Sequence, residues 1–94
     1  MSDAELLLRS RNAHAGGVVE MVVWRVAVPR PVPPAAHAFK YRLVFVRGGE
    51  RLVGYDNERG KGDHKHLLGQ QMVYVFVDID RLIADFLGDV EKLS

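Results

Sequence analysis

"FKYRLVFVRGGERLVGYD", Phe39 to Asp56, decides the fold. Phe39, Tyr41, Leu43 and Phe45 alternate with Lys40, Arg42, Val44 and Val46, the period of two that gives a β-strand one strongly apolar face. "ERLVGYD" follows at once, and Gly48-Gly49 stands between the two runs. A two-residue reversal needs positive φ, which glycine adopts without steric cost, so the pair reads as an antiparallel hairpin. A tight turn here sets Phe45 opposite Leu52, Leu43 opposite Gly54 and Tyr41 opposite Asp56 on one face, with Arg42 and Tyr55 meeting on the other.

Working outward, "AELLLRSRN" and "GVVEMVVWRVAV" flank the turn sequence "AHAGG". Their β-branched and aromatic content predicts a second hairpin. Downstream, "QQMVYVFV" is a further strand candidate and runs straight into "DIDRLIADFLGDVEKL", where the period changes. Ile79, Leu82, Ile83, Phe86, Leu87 and Val90 form one helical stripe, Asp78 is a natural N-cap, and Asp80 in the first turn suits the helix dipole. The expectation is an α+β fold: a mostly antiparallel sheet of about five strands with one C-terminal helix packed on the face bearing Phe39, Leu43, Phe45 and Leu52. "PRPVPPAAHA", with four prolines in six residues, reads as a stiff surface crossover rather than an element.

The length of 94 residues leaves room for a single domain, 1–94. Hydrophobic and charged fractions of 48% and 27% are those of a soluble globular chain. The absence of cysteine excludes disulfides and thiolate metal sites and fits a cytoplasmic location. "MSDAELLLRSR" is too short and too acidic in its apolar run for a signal peptide or a membrane span. Charge is uneven: residues 1–66 carry eleven Lys/Arg against seven Asp/Glu, and residues 67–94 carry two against five. A basic body of this kind suits an anionic partner such as RNA, and equally a solvated charged surface. Val44, Val46 and Val53, on the face the helix leaves free, predict a homodimer or another protein contact.

The chemistry concentrates in "YDNERGKGDHKH", Tyr55 to His66, read as the strand end and a long connecting loop. Gly60 and Gly62 around Lys61 allow backbone amides to turn toward an anion, with Arg59 adding charge. The spacing does not fit a Walker loop, since Gly54 precedes Gly60 by one residue too many and Lys61 is followed by glycine. His64 and His66, two apart, place both imidazoles on one side of an extended segment. Two chemistries are open to the pair. As acid and base they would cleave phosphodiesters without a cofactor, with Lys61 and Asp56 in support and Arg42, Tyr55, Asn57, Arg59, Gly60, Gly62 and Lys65 holding the substrate. As ligands with Asp56, Glu58 or Asp63 they would hold a divalent metal ion. His14 and His37 fall in turn and linker contexts and carry no role in this reading.

"AELLLRSRNAHAGGVVEMVVWRV", "FKYRLVFVRGGERLVGYDNERGKGDHKH" and "LIADFLGDVEKL", in that order over nearly the whole chain, resemble the TumE-like toxin family of bacterial type II toxin-antitoxin systems. Tyr-Asp-Asn followed by His-x-His is the most specific part. The resemblance implies a small growth-inhibiting toxin in the bacterial cytoplasm, paired with a helix-turn-helix type antitoxin. It supplies no reaction. Tyr55, Asp56, Asn57, Gly60, Lys61, Asp63, His64 and His66 carry over as the candidate site. The expectation is a toxin that acts on RNA in the manner of a small ribonuclease, and its alternative is a non-catalytic protein-binding or metal-binding module.

Overall fold

The computed structural model describes residues 4–26, 37–58 and 61–94. The proline-dense crossover lies almost wholly outside the described residues, as do Arg59 and Gly60. Six strands form one antiparallel sheet: β1 (Ala4–His14), β2 (Gly17–Val26), β3 (Phe39–Arg47), β4 (Glu50–Glu58), β5 (Gly62–Leu67) and β6 (Gln70–Val73), in spatial order β1-β2-β3-β4-β5-β6. Helix α1 (Ile79–Lys92) closes one face. The expected α+β architecture holds, with six strands rather than about five. The extra strand comes from the charged segment read as a loop: Gly62–Leu67 pairs with both neighbours, so His64 and His66 sit on a strand next to the sheet edge. Polar residues satisfy the period of two as readily as apolar ones, and no hydrophobic alternation marked this strand. The predicted last strand is correspondingly short, ending at Val73.

The central hairpin corrects the expected register. Arg47 pairs Glu50 and Val46 pairs Arg51 as a tight Gly48-Gly49 turn requires, but Phe45 then pairs Val53, Val44 pairs Gly54, Leu43 pairs Tyr55 and Arg42 pairs Asp56. One extra residue on β4, Leu52, makes a β-bulge, and everything beyond it slips by one. A slip of one reverses the faces. Val53, Tyr55 and Asn57 therefore share the face of Tyr41, Leu43 and Phe45, while Gly54 and Asp56 join Arg42 and Val44 on the other. Leu52 and Val53 both enter the core, at 8% and 0% exposed, so Val53 does not belong to the helix-free face. The gain is the exchange of Gly54 and Asp56 for Val53 and Tyr55 under the helix, a large increase in apolar area at a favourable ~25 cal/mol per Å².

The core lies between that face and α1. Leu82, Phe86 and Val90 of the helix are buried against Val19, Val23, Tyr41, Leu43, Phe45, Val53 and Tyr55. Asp78 caps the helix by accepting from the Arg81 amide at 2.7 Å. At the other end Arg47 donates to the Leu93 carbonyl at 3.0 Å, closing a C-terminal orphan acceptor. No helix among the described residues is long and apolar enough to cross a membrane.

Candidate functional site

The register correlates residues across all the strands. One row on the helix-free face runs Arg9, Val22, Arg42, Asp56, His64, Val73, and the next runs Arg11, Glu20, Val44, Gly54, His66, Gln71. The bulge at Leu52 is what brings Asp56 to this face beside His64. The carboxylate Oδ1 of Asp56 stands 2.7 Å from His64 Nε2, and donor atoms of Asp56, His64 and His66 all lie within 4.8 Å of one another. His64 is 3% exposed, whereas Asp56 and His66 are half-buried. The rings of His64 and His66 meet edge to face at 5.3 Å.

Local backbone geometry orients these groups. Gly62 enters β5 with φ 74°, a left-handed conformation that side chains disfavour, and its carbonyl accepts from His64 Nδ1 at 3.2 Å. That bond puts the proton on Nδ1 and aims the other nitrogen at Asp56. Gly54 leaves room for a cation: a Cβ there would stand 3.1 Å from Arg51 Cδ and 3.2 Å from its Nε. Arg51 thus lies across the glycine toward His66. Burial first, then the positive charge of Arg51, hold the His66 imidazole below its ordinary value, which favours its neutral form.

Several residues that the sequence grouped with the histidines are placed elsewhere. Tyr55 and Lys65 face the helix: the Tyr55 hydroxyl donates to Asp89, and Lys65 reaches Asp89 Oδ2 at 3.3 Å. The Tyr55 phenol is held neutral well above its usual range by burial and by Asp89. Asn57 is fully buried, accepting from the Tyr41 amide at 3.1 Å and donating to the Phe39 carbonyl at 2.7 Å. It extends the β3–β4 ladder with its side chain. Asp63 also lies on the helix side, where its Oδ2 accepts from the Tyr41 hydroxyl and from His37, each at 2.7 Å. His37, which the sequence left without a role, takes the Phe39 amide on Nδ1 at 3.1 Å and stacks on Phe76 at 3.9 Å. Lys61 is exposed on the β4–β5 turn.

A concavity of about 820 Å³ lies on that helix side, lined among others by His37, Phe39, Lys61, Asp63, Tyr74 and Phe76. Its polar side chains His37 and Asp63 are engaged with each other, and Tyr41 behind them completes the network, an arrangement that rigidifies a sheet end. The Asp56–His64–His66 cluster is different. Asp56 Oδ1 is buried yet receives no hydrogen bond, despite its proximity to His64. Arg51 and Gly54 are the members that sequence reasoning missed, and the signal was the mismatch of an Asp56 and a glycine assigned to an apolar face.

A family model described as toxin TumE matches residues 3–94. No curated protein and no solved structure matches the chain.

Proposed function

Because the chain belongs to the TumE toxin family, we propose that it is a toxin that acts on RNA, cleaving phosphodiesters at the Asp56–His64–His66 cluster. The family makes it the toxin of a toxin-antitoxin system and implies an antitoxin partner; a helix-turn-helix type antitoxin belongs to this proposal. The observation that carries the reading is the composition of one sheet face. Arg9, Arg42 and Arg51 share it with the three converging groups, as does Arg11, 4.0 Å from Glu20, whereas on the helix side Tyr55 and Lys65 are paired with Asp89, and Asp63 with Tyr41 and His37. Arginines suit phosphate oxygens. In the cleavage the ribose 2′-hydroxyl attacks the adjacent phosphorus, its proton passes to a base, and the leaving 5′-oxygen gains one. Asp56, His64 and His66 offer the lone pairs such a step needs, as base or as ligands of an ion that serves it, and Arg42 and Arg51 are positioned to offset charge on the phosphoryl oxygens.

A second reading, a non-catalytic protein-binding module, is favoured by the burial of His64, since buried ion pairs also serve structural ends. Purified chain incubated with RNA separates the two. His66→Ala should lower cleavage by roughly 10²-fold or more with an unchanged circular dichroism spectrum, because this half-buried ring contributes little to the core. Arg81→Ala, on the opposite side, should leave cleavage intact. A His66→Ala protein as toxic to cells and as active on RNA as the parent would remove this cluster from the reaction.

A further inference from the structure

We propose that Asp56, His64 and His66 bind one divalent transition-metal ion of the zinc class, through a carboxylate oxygen and two imidazole nitrogens. The inference names what the reacting centre holds; it rests on the preceding reading for the ion's use, though not for its binding. Three features support it. The ligand atoms lie within 4.8 Å of one another, so small side-chain rotations bring them to the roughly 2.0–2.2 Å bonds that zinc makes with nitrogen and oxygen.

The second feature is the contact between His64 and Asp56. Nδ1 of His64 donates to the Gly62 carbonyl, so in the neutral ring Nε2 presents a lone pair. That lone pair faces a carboxylate oxygen at 2.7 Å. Two acceptors this close repel unless a cation stands between them, either a proton or a metal. The third feature bears on which: Asp56 Oδ1 is buried and no hydrogen bond reaches it. Two ligands of one ion would stand in this way, oxygen beside nitrogen with no hydrogen bond joining them. The Gly62 carbonyl then plays the part of the outer partner that fixes the tautomer of a ligating histidine.

Arg51, which lies over Gly54 beside His66, opposes a bare cation here, and exposed Lys61 on the adjoining turn adds to its charge. They suit a cation that brings an anion with it, and a phosphate oxygen in the remaining coordination positions is such an anion. Three protein ligands leave those positions open, the pattern of a catalytic rather than a structural site.

The full chain, stripped with a chelator and dialysed, is titrated with zinc sulfate by calorimetry, and separately loaded with cobalt(II) for visible absorption. One ion per chain is expected, with cobalt bands of low coordination number. His66→Ala and Asp56→Asn should each weaken zinc by at least the roughly 10–100-fold that even outer partners cost and abolish the cobalt bands. Asp63→Asn, on the opposite face, should change neither. Absence of stoichiometric binding, or binding indifferent to His66→Ala, overturns the proposal and leaves His64–Asp56 as a proton-bridged ion pair. Because His66 is half-buried, that variant stays informative if Asp56→Asn unfolds. Binding without RNA cleavage would sink the preceding reading and keep the site, whereas chelator-resistant cleavage with no zinc bound would do the reverse.

Discussion

Asn57 shows how one side chain sets the end of the central hairpin. The regular β3–β4 pairing stops at Arg42 and Asp56, and beyond it Asn57 supplies both an acceptor for the Tyr41 amide and a donor for the Phe39 carbonyl. The Tyr41 amide is buried and the Phe39 carbonyl half-buried, and an unmet hydrogen bond at a buried group costs about 1–3 kcal/mol. Asn57→Ala should therefore lower the unfolding free energy by roughly 2–4 kcal/mol, two such groups less some relaxation, as read from urea titration. A loss below about 0.5 kcal/mol would mean that water replaces both bonds. Asn57 also stands next to Asp56, so its role near the cluster is to hold the strand that presents the carboxylate. The sequence showed Tyr-Asp-Asn as one polar motif. Which of its members faced the histidines depended on a pleat that identity alone does not reveal.

At the scale of elements, α1 is held by its apolar stripe and by a polar anchor at Asp85, which an i,i+4 bond within the helix orients. The Tyr74 hydroxyl donates to Asp85 Oδ2 at 2.7 Å and Arg81 Nε donates to Asp85 Oδ1 at 3.0 Å. The Tyr74 hydrogen bond first, then the Arg81 guanidinium, outweigh burial and hold the Asp85 carboxyl below its ordinary value. A carboxylate whose folded pKa is depressed stabilises the fold above its unfolded value, and that contribution fades as pH falls through the folded one. The parent should lose melting temperature as pH falls below about 4, the ordinary carboxyl value, and on through the lower folded one. Asp85→Asn should show a shallower loss over the same interval, with the two curves converging at the acid end. Curves that stay parallel would show that Asp85 is not linked to folding. The helix itself was legible from its period of 3.6 and its Asp78 cap, both local features; that Tyr55, rather than a solvent-facing site, would receive Asp89 was not.

The whole molecule is two-sided. One face of the sheet is spent on the core and on the helix, and the other gathers arginines from β1, β3 and β4 around the cluster. If that face holds RNA, binding releases counterions and falls with salt. For a single strand each phosphate contact contributes about 0.7 to the slope of log affinity against log salt. Arg42→Ala and Arg51→Ala should each reduce the slope by roughly that amount, measured by fluorescence anisotropy on a catalytically silent His66→Ala background. Arg81→Ala should leave it unchanged. Equal effects from all three would show diffuse attraction by the whole surface rather than by this face.

The alternation of Phe39 to Val46, the Gly48-Gly49 turn, the first hairpin and the stripe from Ile79 to Val90 were determined by sequence alone, because each depends on residues close in the chain. The bulge at Leu52 was a tertiary decision. Leu52 and Val53 are both apolar, so the local pattern admits either register, and only the helix arriving from the far end of the chain makes Val53 and Tyr55 the better face to bury. That choice turned Asp56 away from the core and toward His64, and sent Lys65 and Asp63 to the other side. The histidine spacing was visible in the chain, but its carboxylate partner depended on a one-residue slip that nonlocal packing stabilises.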